Sequence, residues 1–225
     1  MHPVRHETDA LHRPVTGHDP HHLPPMGVSW LLHLYDPLTR LVGAARLHRR
    51  LVEAAGLRPG SRVLEIGCGT GNLALLAKKR QPEAVVVGLD PDVAALAQAR
   101  RKARRRDLDV QWDSGSATQL PYPDGSVDRV LSSLMLHHVP EGEKVQALRE
   151  VRRVLTADGE LHLADFGGHP EHGLHARLAR NSHMLADQVG EGLVTLLREA
   201  GFADLTEGTV RSRYLGSVSV FRARA

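Results

Sequence analysis

Gly67, Gly69 and Gly71 stand at alternate positions directly after the strand-like run Val63-Leu64-Glu65-Ile66. Glycine lets a backbone turn sharply and approach a ligand with no side chain in the way. The helix expected from Asn72 onward would offer its N-terminal N–H groups to such a ligand. The spacing is G-x-G-x-G, one residue short of the dinucleotide fingerprint, and no Lys-Ser/Thr follows as in a P-loop. A second element supports the loop. Val85-Val86-Val87-Gly88-Leu89-Asp90 is a buried type of strand that ends in an acid about 20 residues after the loop. An acid there accepts hydrogen bonds from ribose hydroxyls in doubly wound sheets. The competing roles are a plain tight turn for the glycines and a helix cap for Asp90. His137 and His138 follow a further strand, and imidazole is the side chain best suited to move a proton near neutrality.

These residues need a scaffold of alternating strands and helices. Strands are expected over 62–66, 84–89, 110–112, 127–131 and 160–164. Helices are expected over 72–79, 92–105, 143–155 and 185–200, the last ending at Gly201. Alternation of this kind implies a parallel sheet covered on both faces. Two successive extended stretches, 203–210 and 217–222, imply a terminal hairpin and an antiparallel last strand at or near one edge. Upstream, Leu31, Leu34, Leu38, Leu41, Leu47 and Leu51 recur at helical spacing, with a break at Asp36-Pro37. Residues 1–25 hold His2, His6, His12, His18, His21 and His22, are rich in proline and carry few large apolar side chains. They read as a flexible arm ahead of a single domain over 26–225.

Several motifs together resemble class I S-adenosylmethionine-dependent methyltransferases. Leu64-Glu65-Ile66-Gly67-Cys68-Gly69-Thr70-Gly71 is similar to their first motif. Gly115-Ser116-Ala117, Leu120-Pro121-Tyr122-Pro123-Asp124-Gly125, Leu136-His137-His138-Val139 and Arg152-Arg153-Val154-Leu155 are similar to later motifs of one branch. That branch includes ubiquinone/menaquinone-biosynthesis C-methyltransferases and many small-molecule methyltransferases. The resemblance covers about residues 30–165 well. It implies a Rossmann-like seven-stranded, mostly parallel α/β sheet, S-adenosyl-L-methionine as cofactor and a small-molecule methyl acceptor. It places Glu65, Gly67, Cys68, Gly69, Thr70, Gly71, Asp90 and Pro91 on the cofactor. Ser116 and Ala117 would border its adenine and Ser133 its methionine part. Many relatives have Asp where Ser116 stands, so adenine would lean on backbone groups or on nearby Asp113. His138 or His137 is the candidate base, with a purely loop-shaping role as the alternative. Tyr35 and Asp36 could close over the cofactor.

Composition sets the remaining bounds. The 225 residues are 41% hydrophobic and 24% charged, with a net charge of +3. That suits one soluble α/β domain. No apolar run approaches the ~20 residues of a membrane span. Cys68 is the single cysteine, which excludes an internal disulfide and a four-cysteine zinc site and fits a reducing cytoplasm. No metal site is expected. Residues 167–184 carry His169, His172, His175, His183, Arg177 and Arg180, and their polarity favours a polar or anionic acceptor. The run Arg100-Arg101-Lys102-Ala103-Arg104-Arg105-Arg106 is the one hint of nucleic acid. It reads better as a solvated helix end, since no aromatics interleave to stack bases. An RNA-directed methyltransferase, a nicotinamide-dependent dehydrogenase and a non-catalytic cofactor-binding protein are the alternatives. The sequence leaves the acceptor and the oligomeric state open.

Overall fold

The computed structural model describes residues 44–166, 190–212 and 216–225. Helix α1 (Ala44–Ala54) buries Ala44, Leu47, Leu51 and Val52. Then come β1 (Arg62–Ile66), α2 (Asn72–Arg80), β2 (Val85–Asp90), α3 (Val93–Arg105), β3 (Gln111–Ser114) and β4 (Val127–Ser133). A short 3-10 turn over Leu136–His138 leads to α4 (Glu141–Val154), which runs straight into β5 (Leu155–Phe166). Helix α5 (Gly190–Glu199), β6 (Ala203–Ser212) and β7 (Gly216–Arg224) complete the described chain. The expected arm over 1–25, Tyr35, Asp36, the polar stretch 167–184 and the first residues of the helix expected over 185–200 lie outside the described residues.

The seven strands form one sheet in the order β3-β2-β1-β4-β5-β7-β6. The first five are parallel, and β7 runs antiparallel to both β5 and β6. The expected fold class is therefore the observed one. After β1 the chain steps outward through β2 to β3, then returns to the other side of β1 for β4. This reversal opens a crevice at the carboxyl ends of β1 and β4, where open α/β sheets bind ligands.

Each strand residue faces one of two apolar layers because side chains alternate along a strand. Leu64 and Ile66 of β1 join Leu148 and Val151 of α4 and Leu193 and Leu197 of α5. Val63 faces the other way, toward Leu47 and Leu51 of α1, Leu73 of α2 and Leu96 of α3. Each such fully buried leucine contributes about 1.5–3 kcal/mol relative to an exposed one.

Several boundaries differ from the sequence reading, and two of the differences have a visible cause. Strand β3 lies one step later than 110–112, because Gln111–Ser114 pairs with the last four residues of β2. Strand β5 starts at Leu155 instead of 160. Leu155 pairs with Val127, but the next pair is Glu160 with Arg129, so residues 156–159 bulge out of register. A turn-like Ala157-Asp158-Gly159 hides that early pairing in the sequence.

A charged cluster fixes β4, β5 and β7 in register. Glu160 of β5 accepts from Arg222 Nε of β7 at 2.9 Å, with Arg129 of β4 at 4.0 Å and Arg224 at 3.5 Å. Hydrogen bonds from Arg222 hold its carboxyl down at about 2. His162 is buried beside it. Its Nε2 lies 3.2 Å from Glu160 but off the line of a hydrogen bond, and has no such partner among the described residues.

Burial lowers the pKa of His162 to about 4, against the opposing pull of Glu160. In the unfolded chain a histidine takes a proton near its ordinary value of about 6.5. Between those values the unfolded chain binds a proton that the folded chain refuses. The stability due to neutral His162 is whole above pH ~6.5 and is lost as the pH falls toward ~4, on the order of 2–3 kcal/mol in all. Urea titrations of wild type and His162→Gln across this window should show a flatter acid limb in the variant. Identical slopes would mean that the ring does not titrate on unfolding.

Candidate active site

The glycine loop leaves β1 and folds back on β2. Cys68 N–H donates to Leu89 O at 3.0 Å, which extends the β1–β2 pairing by one residue. Gly67, Gly69 and Gly71 all have positive φ, at 63°, 50° and 78°. That is the left-handed region in which a side chain costs about 1–2 kcal/mol. The three glycines differ in their surroundings. A Cβ on Gly67 would meet Met135 Cγ at 1.9 Å, and one on Gly71 would meet the Trp112 ring at 2.2 Å. A Cβ on Gly69 would meet nothing within 4 Å. So two glycines are needed for packing, and the middle one lines open space. Gly88 in β2 has the same cause, because the Trp112 ring lies against it too.

Two acids hold this loop. Asp90 Oδ2 accepts from Gly69 N–H at 2.7 Å and Oδ1 from Asp92 N–H at 2.9 Å. Glu65 Oε2 accepts from Ala74 N–H at 2.7 Å and so ties the first turn of α2 to β1. Burial pushes the Glu65 carboxyl well up, and the nearby Asp90 adds to this. Pro91 follows Asp90 at the turn into α3, where Asp92 rather than Asp90 is the cap, accepting from Ala94 and Ala95. Lys102 Nζ reaches Thr70 O at 2.9 Å and Asn72 Oδ1 at 3.0 Å, and Arg100 reaches Trp112 O at 2.8 Å. Two members of the basic run therefore brace the loop region, while Arg101, Arg104, Arg105 and Arg106 are exposed. Cys68 is buried and its thiol is pushed up by burial, so it stays protonated.

At the next strand end Ser116 Oγ sits 2.8 Å from Thr118 Oγ1 and accepts from Thr118 N–H at 3.2 Å. Asp113 accepts from Tyr122 OH at 3.0 Å and from Gln111. The side chains of both adenine candidates thus have partners within the protein. The 120–125 motif is a tether: Arg153 of α4 donates to Leu120 O, Tyr122 O and Asp124.

Beyond β4 the backbone is strained. Leu134 has φ 55°, unusual for a residue with a side chain, and its N–H is held by Ala164 O at 2.8 Å. This kink sets Met135 over Gly67 and starts the turn that carries the two histidines. They lie on a 3-10 turn, not on a strand end, so their side chains diverge by about a third of a turn rather than pointing oppositely. His138 is exposed and its ring packs on His137 at 4.0 Å between centroids. His137 Nδ1 lies 2.7 Å from Asp165 Oδ1, and Asp165 Oδ2 accepts the His137 backbone N–H at 3.3 Å. Asp165 was not found from sequence, since an acid at the end of β5 carries no local signal. Ser133 Oγ, at the end of β4, is buried with no hydrogen-bond partner among the described residues. These residues also hold no group of three or more His, Cys, Asp or Glu able to bind a metal. No helix among them is long and apolar enough to cross a membrane.

The strand order, the antiparallel β7 and a glycine loop closed on the acid of β2 define the class I S-adenosylmethionine-dependent methyltransferase fold. Residues 63–159 match the family model described as a methyltransferase domain. The chain is 40% identical over 140 residues to a demethylmenaquinone methyltransferase of Thermus thermophilus, 61% of this chain and 63% of the relative. It is 34% identical over 168 residues to the 27-O-demethylrifamycin SV methyltransferase of Amycolatopsis mediterranei, 69% of this chain and 59% of that one. It spans between half and just under two thirds of the length of the quinone methyltransferases it matches. Among solved structures, the 4+2 cyclase SpnF superposes with a TM-score of 0.67 at 25% identity, over 80% of this chain and 79% of that one. A phosphoethanolamine N-methyltransferase of Haemonchus contortus, in complex with S-adenosyl-L-methionine, reaches 0.72 at 15% identity, over 88% and 57%, which speaks to the fold.

The contrast among the glycines is testable by thermal unfolding. Gly69→Ala should cost about 1–2 kcal/mol, the backbone strain alone. Gly71→Ala should cost more, because Trp112 must also move. Equal losses would show that Trp112 gives way without cost.

Proposed function

We propose that this protein transfers the methyl group of S-adenosyl-L-methionine to a small-molecule acceptor. The observation that carries this is the loop of Gly67, Gly69 and Gly71, closed on Asp90 at the sheet's switch point, with the Ser133 hydroxyl at the end of β4 lacking a partner among the described residues. Asp90, the acid that ends β2 beside the glycine loop, is the group that accepts from the ribose hydroxyls. The open space at Gly69 admits the ligand between loop and helix. Cys68, Thr70 and Pro91 frame it by their backbones, and Glu65 keeps the helix end in place. Ser116 and Ala117 border adenine, which leans on their backbone groups or on the Asp113 carboxylate. Ser133 donates its hydroxyl to the methionine part.

The bound cofactor would supply an electrophilic methyl group on a sulfonium. The protein's task is to orient the two reactants, keep water out and, where the acceptor needs it, take up a proton. His137 or His138 is the group for that last step. The fold alone does not choose methyl transfer, as the SpnF cyclase likeness makes plain. The family match of residues 63–159 and the methyltransferases among the relatives support it. Several relatives are named for quinone acceptors. A ring of that kind with polar or anionic substituents fits the histidines and arginines of 167–184, and the buried, protonated Cys68 fits a reducing cytoplasm.

Asp90→Ala should weaken S-adenosyl-L-methionine binding by roughly 1–3 kcal/mol. Calorimetry with NAD should give no heat of binding for either protein. An unchanged affinity in the variant would remove Asp90 from the ribose role. Tight NAD binding would overturn the cofactor assignment.

A further inference from the structure

We infer that Asp165 is a positioning residue for His137, and that the pair suits an acceptor which must give up a hydroxyl proton as it is methylated. This deepens the methyltransferase reading and rests on it. The carboxylate of Asp165 is 1% exposed and is fixed by main-chain donors: the His137 N–H on Oδ2 and the Phe166 N–H, at 2.7 Å, on Oδ1. Oδ1 also meets the ring at 2.7 Å. An ionised carboxylate only accepts, so the ring nitrogen facing it, Nδ1, must carry the proton. Nε2 of the neutral ring then holds a lone pair on the side away from Asp165. Once Nε2 takes up a proton, the resulting imidazolium is stabilised by the carboxylate behind it, the logic of an acid that orients a general base.

The place of the pair gives it a purpose. His137 stands two residues after Met135, which lies on Gly67 of the loop. The ring is only 14% exposed and is flanked by Phe166 at 5.1 Å and by His138. His138 is more exposed, and the buried carboxylate lies on the ring of its neighbour. The arrangement therefore favours His137. A neutral amine already owns a free electron pair and needs no base before it attacks, whereas a hydroxyl is a poor nucleophile until its proton leaves. In the step proposed, the acceptor O–H bond breaks and its proton goes to His137 Nε2. The oxygen electron pair forms the bond to the methyl carbon. The methyl–sulfur bond breaks, with its pair left on sulfur.

The test uses the full chain, Asp165→Asn and His137→Ala. Calorimetry with S-adenosyl-L-methionine comes first; a wild type that fails to bind sinks the methyltransferase reading itself. With binding intact, nitrogen-15 NMR of labelled histidine should find His137 protonated at Nδ1 in wild type and that preference lost in Asp165→Asn. A naphthoquinol and naphthylamine are then offered as matched probes. The naphthoquinol should be the one methylated. Asp165→Asn should lower kcat at least ~10-fold with KM nearly unchanged, and His137→Ala about 10²-fold or more, with partial rescue by added imidazole. The inference is overturned by a bare Nδ1 in wild type, by kcat in both variants within about threefold of wild type, or by naphthylamine serving as well as or better than the naphthoquinol.

Discussion

The Asp90 carboxylate sits where β1, β2 and the glycine loop meet, and it is the joint on which the crevice depends. Its two oxygens hold Gly69 N–H and Asp92 N–H, so the loop after β1 and the turn after β2 are locked to one group. Hydrogen bonds to a charged acceptor are roughly twice as strong as neutral ones. Glu65, near the end of β1, has the complementary role and holds the start of α2. Between them the two acids convert a flexible glycine-rich segment into a shape fixed before any ligand arrives, which lowers the ordering cost of binding.

The features legible in the sequence are those whose cause is local. Strand–helix alternation, the terminal hairpin and the loop with its acid follow from period, composition and spacing, and all lie where they were expected. What escaped notice depends on residues far apart in the chain. Nothing near Gly71 and Gly88 in the sequence shows that the Trp112 ring lies against both and leaves no room for a side chain. The bonds that Asp113 accepts from Tyr122 and Gln111 likewise have no sign in the local sequence. Asp165 lies 28 residues from His137 and meets it only because β4 and β5 are adjacent. The early start of β5 was hidden behind a bulge that only pairing with Val127 reveals. The N-terminal arm, the leucine run up to Leu41, Tyr35-Asp36, the polar stretch 167–184 and residues 185–189 lie outside the described residues.

The two histidines illustrate how one backbone choice sorts equivalent side chains. Neighbours of identical type end up in different surroundings because Leu134 takes a left-handed conformation and the chain then makes a 3-10 turn. One ring is drawn down onto a buried carboxylate and the other is left at the surface. A strained residue beside a binding crevice is tolerated where the surrounding structure over-determines it, and here Ala164 O and the packing of Met135 do so.

The position of β7 has a consequence for the order in which the molecule can be made. Strand β5, which carries Asp165, pairs along its outer edge with Val218–Arg224 of β7. During synthesis the parallel half of the sheet can gather as it emerges, but one flank of β5 has open backbone groups until β7 follows. Such a contact between distant regions of the chain forms slowly, and an unpaired strand edge invites association with other chains. The sheet therefore closes only after β7 has been made, and until then β5 offers an edge on which another chain can pair.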